Sequence, residues 1–271
     1  MTGGKRTWEP AVSEAELRIL TRELDEAHRA STPVLFAAAA EIGEQMRERE
    51  DTLSRLGDPM ARRRFLIGLG AGAAALSLAA CGSDDKESKT ASSAPATTGS
   101  GTSVYTGDLK VVALATALEN QAVGAYQAAL GAASAGKLGT VPPAVATFVQ
   151  TAMAQHADHA KAWNAVLTGA GKPAITDVPL KSQAAVTAAL GKAGDIPTVA
   201  KLALSLEDQA AQTYLFAEYN VTSAGGISTA ATIAPVEAMH AAILHFVLGE
   251  YPVPKDFLPV DMAAKPDDLT V

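Results

Sequence analysis

From residue 108 to about 250 apolar positions recur at helical spacing, in long Ala- and Leu-rich stretches with no alternating strand pattern. The pattern predicts four main helices, over 108–135, 142–169, 196–222 and 228–249, with a shorter one near 180–191 between the second and third. Gly136, Gly139, Pro142 and Pro143 mark the first turn, and Gly169, Gly171 and Pro173 end the second helix. Asp195 and Pro197 occupy cap-like positions for the third. Pro235 predicts a kink or a broken start in the fourth. Beyond Tyr251 the prolines at 252, 254, 259 and 266 predict an extended tail, 251–271, running over the helices. Residues 1–59 also look helical: Ser13 with Glu16 forms a capping box, and Thr32 with Pro33 is expected to open a second helix. The fold class expected is therefore all-α, a four-helix bundle over 108–250 behind a helical extension.

An internal repeat sharpens this picture. Leu114–Tyr126 reads LATALENQAVGAY and Leu202–Tyr214 reads LALSLEDQAAQTY, both fitting L-A-x-x-L-E-x-Q-A-x-x-x-Y, with Glu119 and Glu207 in register 88 positions apart. The second and fourth helices share only A-x-H-A, at Ala157–Ala160 and Ala238–Ala241. Helical phase then places the ionisable groups. Val112, Ala115, Val123, Tyr126 and Leu130 fall within about 40° of Glu119 around the axis, while Lys110, Gln121 and Gly124 fall on the far side. Glu207 sits likewise among Ala200, Ala203, Ala211 and Tyr214. His156 lies among Val149, Ala152, Ala160, Trp163 and Leu167, with His159 about 60° away, and Glu237 lies among Ile233, Ala241, Leu244 and Leu248, with His240 equally near. Each helix thus carries an ionisable group in its apolar stripe. Buried carboxylates need compensation, and bound cations supply it.

Charge and motif content divide the rest of the chain. All ten arginines lie at or before Arg64, and from Cys81 onward 17 Asp and Glu stand against 11 Lys, an acidic excess that argues against a nucleic-acid partner. One cysteine excludes an internal disulfide and a zinc site built from several thiolates. Residues 60–81 read MARRRFLIGLGAGAAALSLAAC, an arginine cluster before an apolar run shorter than the ~20 residues that cross a bilayer. Arg62, Arg63 and Arg64 before Phe65 and Leu66 resemble the twin-arginine export motif, and Leu78-Ala79-Ala80-Cys81 resembles a bacterial lipobox. That resemblance implies the twin-arginine export machinery as a partner and Cys81 as the lipidated first residue of a mature protein, anchored in the outer face of the membrane. Residues 82–107, rich in Ser, Thr, Gly and Ala, then read as a flexible linker. Residues 1–59 are long for the region before a signal: either a cytosolic extension contacting export chaperones, or untranslated, with the true start at Met60. Asp25 and His28 have ligand-like spacing, but on a charge-rich helix they are expected to be solvated surface.

The buried set resembles the ferritin-like family, and within it the rubrerythrin-related lipoproteins, in which two helices each give a Glu and two each give Glu-x-x-His. Glu119 and Glu207 match the single glutamates, and Glu237-Ala238-Met239-His240 matches one Glu-x-x-His. The resemblance implies iron, two ions or one, held by Glu119, His156, His159, Glu207, Glu237 and His240. Manganese fits the same donors, and three histidines also suit zinc. The chain departs from the pattern at His156-Ala157-Asp158-His159, where a histidine replaces a glutamate that would bridge two metals. Asp158 is no substitute, pointing about 160° away from His156. Tyr126, Tyr214 and Trp163 read as core aromatics or as groups behind the ligands, and His245 as peripheral. Two functions follow: an oxidoreductase of ferroxidase or peroxidase type, or a metal-sequestering or metal-free structural lipoprotein. Self-association is compatible with either.

Overall fold

The computed structural model describes residues 8–57, 103–253 and 259–271. Arg62, Arg63 and Cys81, with the whole export signal and nearly all of the linker, lie outside the described residues. The chain divides into two units, Met1–Arg47 with Val104–Val271, and Glu48–Ser103. Among the described residues of the second unit, Glu48 to Gly57 form the end of a helix.

Among its described residues the first unit is helical apart from turns, irregular connections and an isolated antiparallel bridge between Leu180 and Leu269. In chain order it has α1 (Glu14–Gly57, of which the part up to Arg47 belongs here), α2 (Asp108–Ser134), α3 (Pro143–Gly169), α4 (Gln183–Lys192), α5 (Ile196–Asn220) and α6 (Ala224–Leu248), then a 3₁₀ turn at Pro266–Asp268. Helices α2, α3, α5 and α6 make the bundle, α2 pairing most closely with α3 and α5 with α6. Local chemistry sets their ends. Asp195 accepts from the Thr198 N–H at 2.8 Å to cap α5. Ser223 accepts from the Gly226 N–H at 3.2 Å, so α6 starts a turn earlier than its apolar pattern suggests. Asp108 accepts from the Thr222 and Ser223 N–H groups at 3.0 and 2.9 Å, tying the start of α2 to the α5–α6 turn. Gly249 closes α6 at φ 77°. Pro235 is accommodated inside a continuous α6.

Two expectations are revised. Thr32 and Pro33 do not open a second helix: α1 runs unbroken through them. The reason is tertiary. Leu17, Leu24, Leu35, Ala39 and Ile42 form one buried stripe, and continuity of that stripe outweighs the hydrogen bond lost at Pro33. The stripe lies in the seam between α3 and α6. At one end Glu14 accepts from the Ala144 N–H at 3.2 Å and Ala11 N–H donates to the Val247 carbonyl at 3.2 Å. At the other end Gly43 crosses Gly169, so close that a Cβ on Gly169 would stand 3.0 Å from the Gly43 Cα, and Ile42 abuts Gly225. Helix α1 is therefore parallel to α3 and antiparallel to α6. The second revision concerns Gln121, expected on an outward face: it is buried because α4 covers it, its amide donating to Ser182 Oγ at 3.2 Å and Gln183 Oε1 at 2.9 Å.

The described part of the tail packs back on the helices and their connections. Thr270 N–H donates to the Pro179 carbonyl at 2.8 Å, Ala264 N–H to Thr213 Oγ1 at 2.9 Å, and Lys110 pairs with Asp267 at 2.8 Å. Helix α6 is long and apolar enough to cross a membrane by length and composition, but Glu237 and His240 are wholly buried at its middle, the position of a core helix.

Candidate metal centre

Helical phase brings all six ionisable groups to one point. Glu119 on α2, His156 and His159 on α3, Glu207 on α5, and Glu237 and His240 on α6 are each at most 1 % exposed. They form two groups of ligand atoms, each lying within 4.8 Å of one another: Glu119, His156, His159 and Glu237 in the first, His156, Glu207, Glu237 and His240 in the second. Glu237 and His156 belong to both.

His156 lies across the middle. Its Nδ1 is 2.7 Å from Glu119 Oε2 and its Nε2 is 3.1 Å from Glu207 Oε1, so its ring spans the gap between the two single glutamates. His240 Nδ1 is 3.3 Å from both Glu207 Oε2 and Glu237 Oε2. His159 Nδ1 is 2.8 Å from Glu237 Oε1, yet neither atom makes a hydrogen bond: they are close without being aimed at each other. Two buried lone-pair groups converging beside one another in this way suit a cation between them.

Electrostatics within the cluster are strong. Burial raises the Glu119 carboxyl, but His159 and His156 outweigh it and hold the group down at about 2. Glu207 is depressed in the same way by His156 and His240 against its burial. Burial opposes charge on the imidazoles, yet the glutamates prevail: Glu119 and Glu237 push His159 up to about 9, and His156 and His240 are also raised. Without a metal, three imidazoliums would balance three carboxylates.

The layer behind these groups repeats the internal symmetry. Tyr126, from the helix of Glu119, donates its hydroxyl to Glu207; Tyr214, from the helix of Glu207, donates to Glu119. Trp163 Nε1–H donates to the Tyr214 oxygen at 2.9 Å. Burial and the facing glutamates raise both phenols, so both remain protonated donors. These aromatics therefore hydrogen-bond behind the clustered glutamates, as well as packing in the core.

Two residues escaped the sequence reading. Gln155 is 2 % exposed and its Oε1 accepts from His240 Nε2 at 2.8 Å, which turns Nδ1 of that ring towards the carboxylates. Its signal was its position one turn before His159 on the same face. His28 was expected in solvent but is 3 % exposed, with its ring centre 5.2 Å from that of His159. Burial and then His159 push it down to about 4. Its signal was its place in the Leu17, Leu24, Leu35, Ile42 stripe. Asp25 instead pairs with Arg29 at 2.6 Å, and His245 pairs with Glu250 at 2.9 Å at the end of α6.

The family model of the ferritin-like domain matches residues 107–250, over half the chain. The chain belongs to the ferritin-like domain family. Comparison with curated proteins and with solved structures gives no match. As a ferritin-like bundle, the chain has buried Glu and His groups whose placement is compatible with metal binding. Against the ferritin-like pattern, the residue at 156 is the departure, and the structure shows its consequence: an imidazole, with one nitrogen near each single glutamate, stands where a fourth carboxylate is expected.

Proposed function

We propose that this protein holds up to two divalent transition ions, iron or manganese foremost, and uses them for redox chemistry on Fe(II), oxygen or peroxide. The observation that supports it most is the pair of overlapping four-residue groups, with His159 Nδ1 and Glu237 Oε1 close together but without a hydrogen bond inside the first. Bound iron or manganese would supply one-electron chemistry at a site of carboxylate and imidazole donors. Glu119 with His159, and Glu207 with His240, would hold the two ions, and Glu237 reaches both groups. Tyr126 and Tyr214 fix the single glutamates by donating to them, and Gln155 fixes His240. The surrounding helices keep bulk water from all six groups.

The charge balance of three imidazoliums and three carboxylates favours a second reading, a metal-free structural core. Counting metal in protein isolated from iron-replete cells separates the two. About one or two ions per chain, reduced in Glu119→Ala and His240→Ala, with Fe(II) oxidation or peroxide loss by the wild type, supports the redox reading. A metal-free wild type that stays empty on reloading sinks it.

Membrane tethering through Cys81, on the outer face after twin-arginine export, rests on the sequence signal. Processing there would part α1 from the bundle and uncover the α3–α6 seam, so the full-length and processed proteins would differ at the centre itself. Intact mass of the membrane-bound protein tests it. A lipid-modified chain beginning at Cys81 supports tethering, and an unmodified full-length chain opposes it.

A further inference from the structure

Helix α1 brings an imidazole to the centre that packing does not require. The neighbouring positions of its buried stripe are Leu17, Leu24, Leu35 and Ile42, all at most 2 % exposed, and His28 interrupts them at 3 %. A leucine would suit that environment better, because a buried polar atom without a partner is unfavourable. His28 Nε2 has no partner, and Nδ1 meets only Thr32 Oγ1, at 3.5 Å. Its ring centre is 5.2 Å from that of His159 on α3, whose Nδ1, like Glu237 Oε1 on α6 and Gln155 Nε2 on α3, is buried without a hydrogen bond.

We infer that in the full-length chain His28, which lies outside the two converging groups but beside His159, turns inward on metal loading and becomes a further ligand of the first ion, with Glu119, His159 and Glu237. The inference rests on the metal-binding reading above. Ring spacing supports it. With metal–nitrogen bonds of about 2.0–2.1 Å, two imidazoles sharing one ion have ring centres roughly 4.5–5.5 Å apart. His28 and His159 are 5.2 Å apart, and His156 and His240, both in the second group, are 4.9 Å apart. His156 and His159 stand farther off, at 6.1 Å. Each ion would then have two imidazoles, one glutamate of its own and a share of Glu237. His28 would release His156 to the second ion and supply a donor atom, though not the charge, in place of the carboxylate missing from α3. The ion would also fasten α1 to the bundle.

The test uses the full-length protein, stripped with a chelator and titrated with Co(II), comparing wild type with His28→Leu and His28→Ala. Leucine suits the stripe, so the first variant is expected to keep its helix content and cooperative melting. One of two Co(II) ions should bind it about 10-fold or more weakly, with a changed visible absorption spectrum. Added free imidazole should restore the wild-type spectrum in His28→Ala, where space is left for it, and not in His28→Leu. Trypsin cleavage at Arg22 and Arg29 should slow on Co(II) binding in wild type only. Folded variants with wild-type stoichiometry, affinity and spectrum overturn the assignment of His28 while leaving the metal centre in place. A wild type that takes up no Co(II) overturns the metal reading itself, and this inference with it.

Discussion

Tyr214 donates its hydroxyl across the bundle to Glu119, and the repeat-related Tyr126 returns the same contact to Glu207. The two halves of the sequence thus lock one another's carboxylates, which explains why each L-A-x-x-L-E-x-Q-A-x-x-x-Y segment ends in tyrosine. Tyr214→Phe removes one hydrogen bond from a buried carboxylate and leaves Trp163 Nε1–H without its acceptor. The metal-free protein should lose about 1–3 kcal/mol of stability. Metal affinity should fall by roughly 10- to 100-fold. Tyr126→Phe leaves no indole unpaired and should cost less. Urea unfolding of the stripped proteins and Co(II) titration read both effects; equal stability losses would contradict the role given to Trp163.

The chain's helical class and the burial of its six polar groups were legible because period and phase are local properties. Glu119 to His240 could be assigned to inner faces from the angle between residues alone. What could not be read was which outer face gains a cover. The burial of Gln121 and His28 depends on contacts between segments far apart in the chain: α4 covers Gln121, and the docking of α1 carries His28 into the α3–α6 seam. In α1, moreover, the dense charge of Asp25, Arg29 and their neighbours masked a stripe that is regular at three- and four-residue spacing. The unbroken passage through Pro33 has the same origin, since local propensity predicts a boundary that tertiary packing overrides.

The cluster's charge balance sets a pH profile for the metal-free protein. His159 is raised from 6.5 to about 9, so its stabilisation is complete below pH 6.5 and is lost as pH rises through 9. Glu119 is lowered from 4.5 to about 2, so its stabilisation is present above pH 4.5 and is lost as pH falls through 2. His156 and His240 add to the first trend and Glu207 to the second. His28, lowered from 6.5 to about 4 by burial, acts the other way and costs stability as pH falls below 6.5, so chelator-treated protein should be most stable near pH 6.5. Metal binding must displace these protons, so affinity should climb with pH over the range in which the stripped protein weakens. Stability of the stripped protein that kept rising to pH 9 would rule out protonated imidazoles as the internal counter-ions.

Restoring the missing carboxylate makes the opposite trade. His156→Glu would put a fourth carboxylate beside Glu119, Glu207 and Glu237 while removing the imidazole now 2.7 Å and 3.1 Å from two of them. Like charges then face one another without compensation, and the stripped variant should melt well below wild type. Two divalent ions neutralise four carboxylates fully, so the loaded variant should recover more stability than wild type does and bind its second ion more tightly. Melting with and without Mn(II), together with a metal count, measures both arms. An apo variant as stable as wild type would mean that His156 bears no charge in the native centre.

The docking of α1 can be probed at a place remote from the ligands. Gly169 ends α3 against Gly43 of α1, and an added Cβ would stand 3.0 Å from the Gly43 Cα, an atom of backbone that no rotamer change can move aside. Within α3 itself alanine is the better helix former, so Gly169→Ala should not harm the bundle. Its effect should fall on α1, which must lift away at that crossing. Gly131→Ala is the control, because Gly131 is helical and nothing lies within 4 Å of its added Cβ; it should gain about 0.5–1 kcal/mol. Hydrogen exchange should show Gly169→Ala losing protection along α1, most around Leu35, Ala39 and Ile42, with α2, α5 and α6 close to wild type. Cleavage by protease within α1 should quicken accordingly. Because His28 rides on the same helix, a loosened α1 should also weaken Co(II) binding, though less than replacing His28 does. Unchanged protection of α1 would show that the crossing can spread at no cost, and the close Gly43–Gly169 contact would then have no part in holding the helix in the α3–α6 seam.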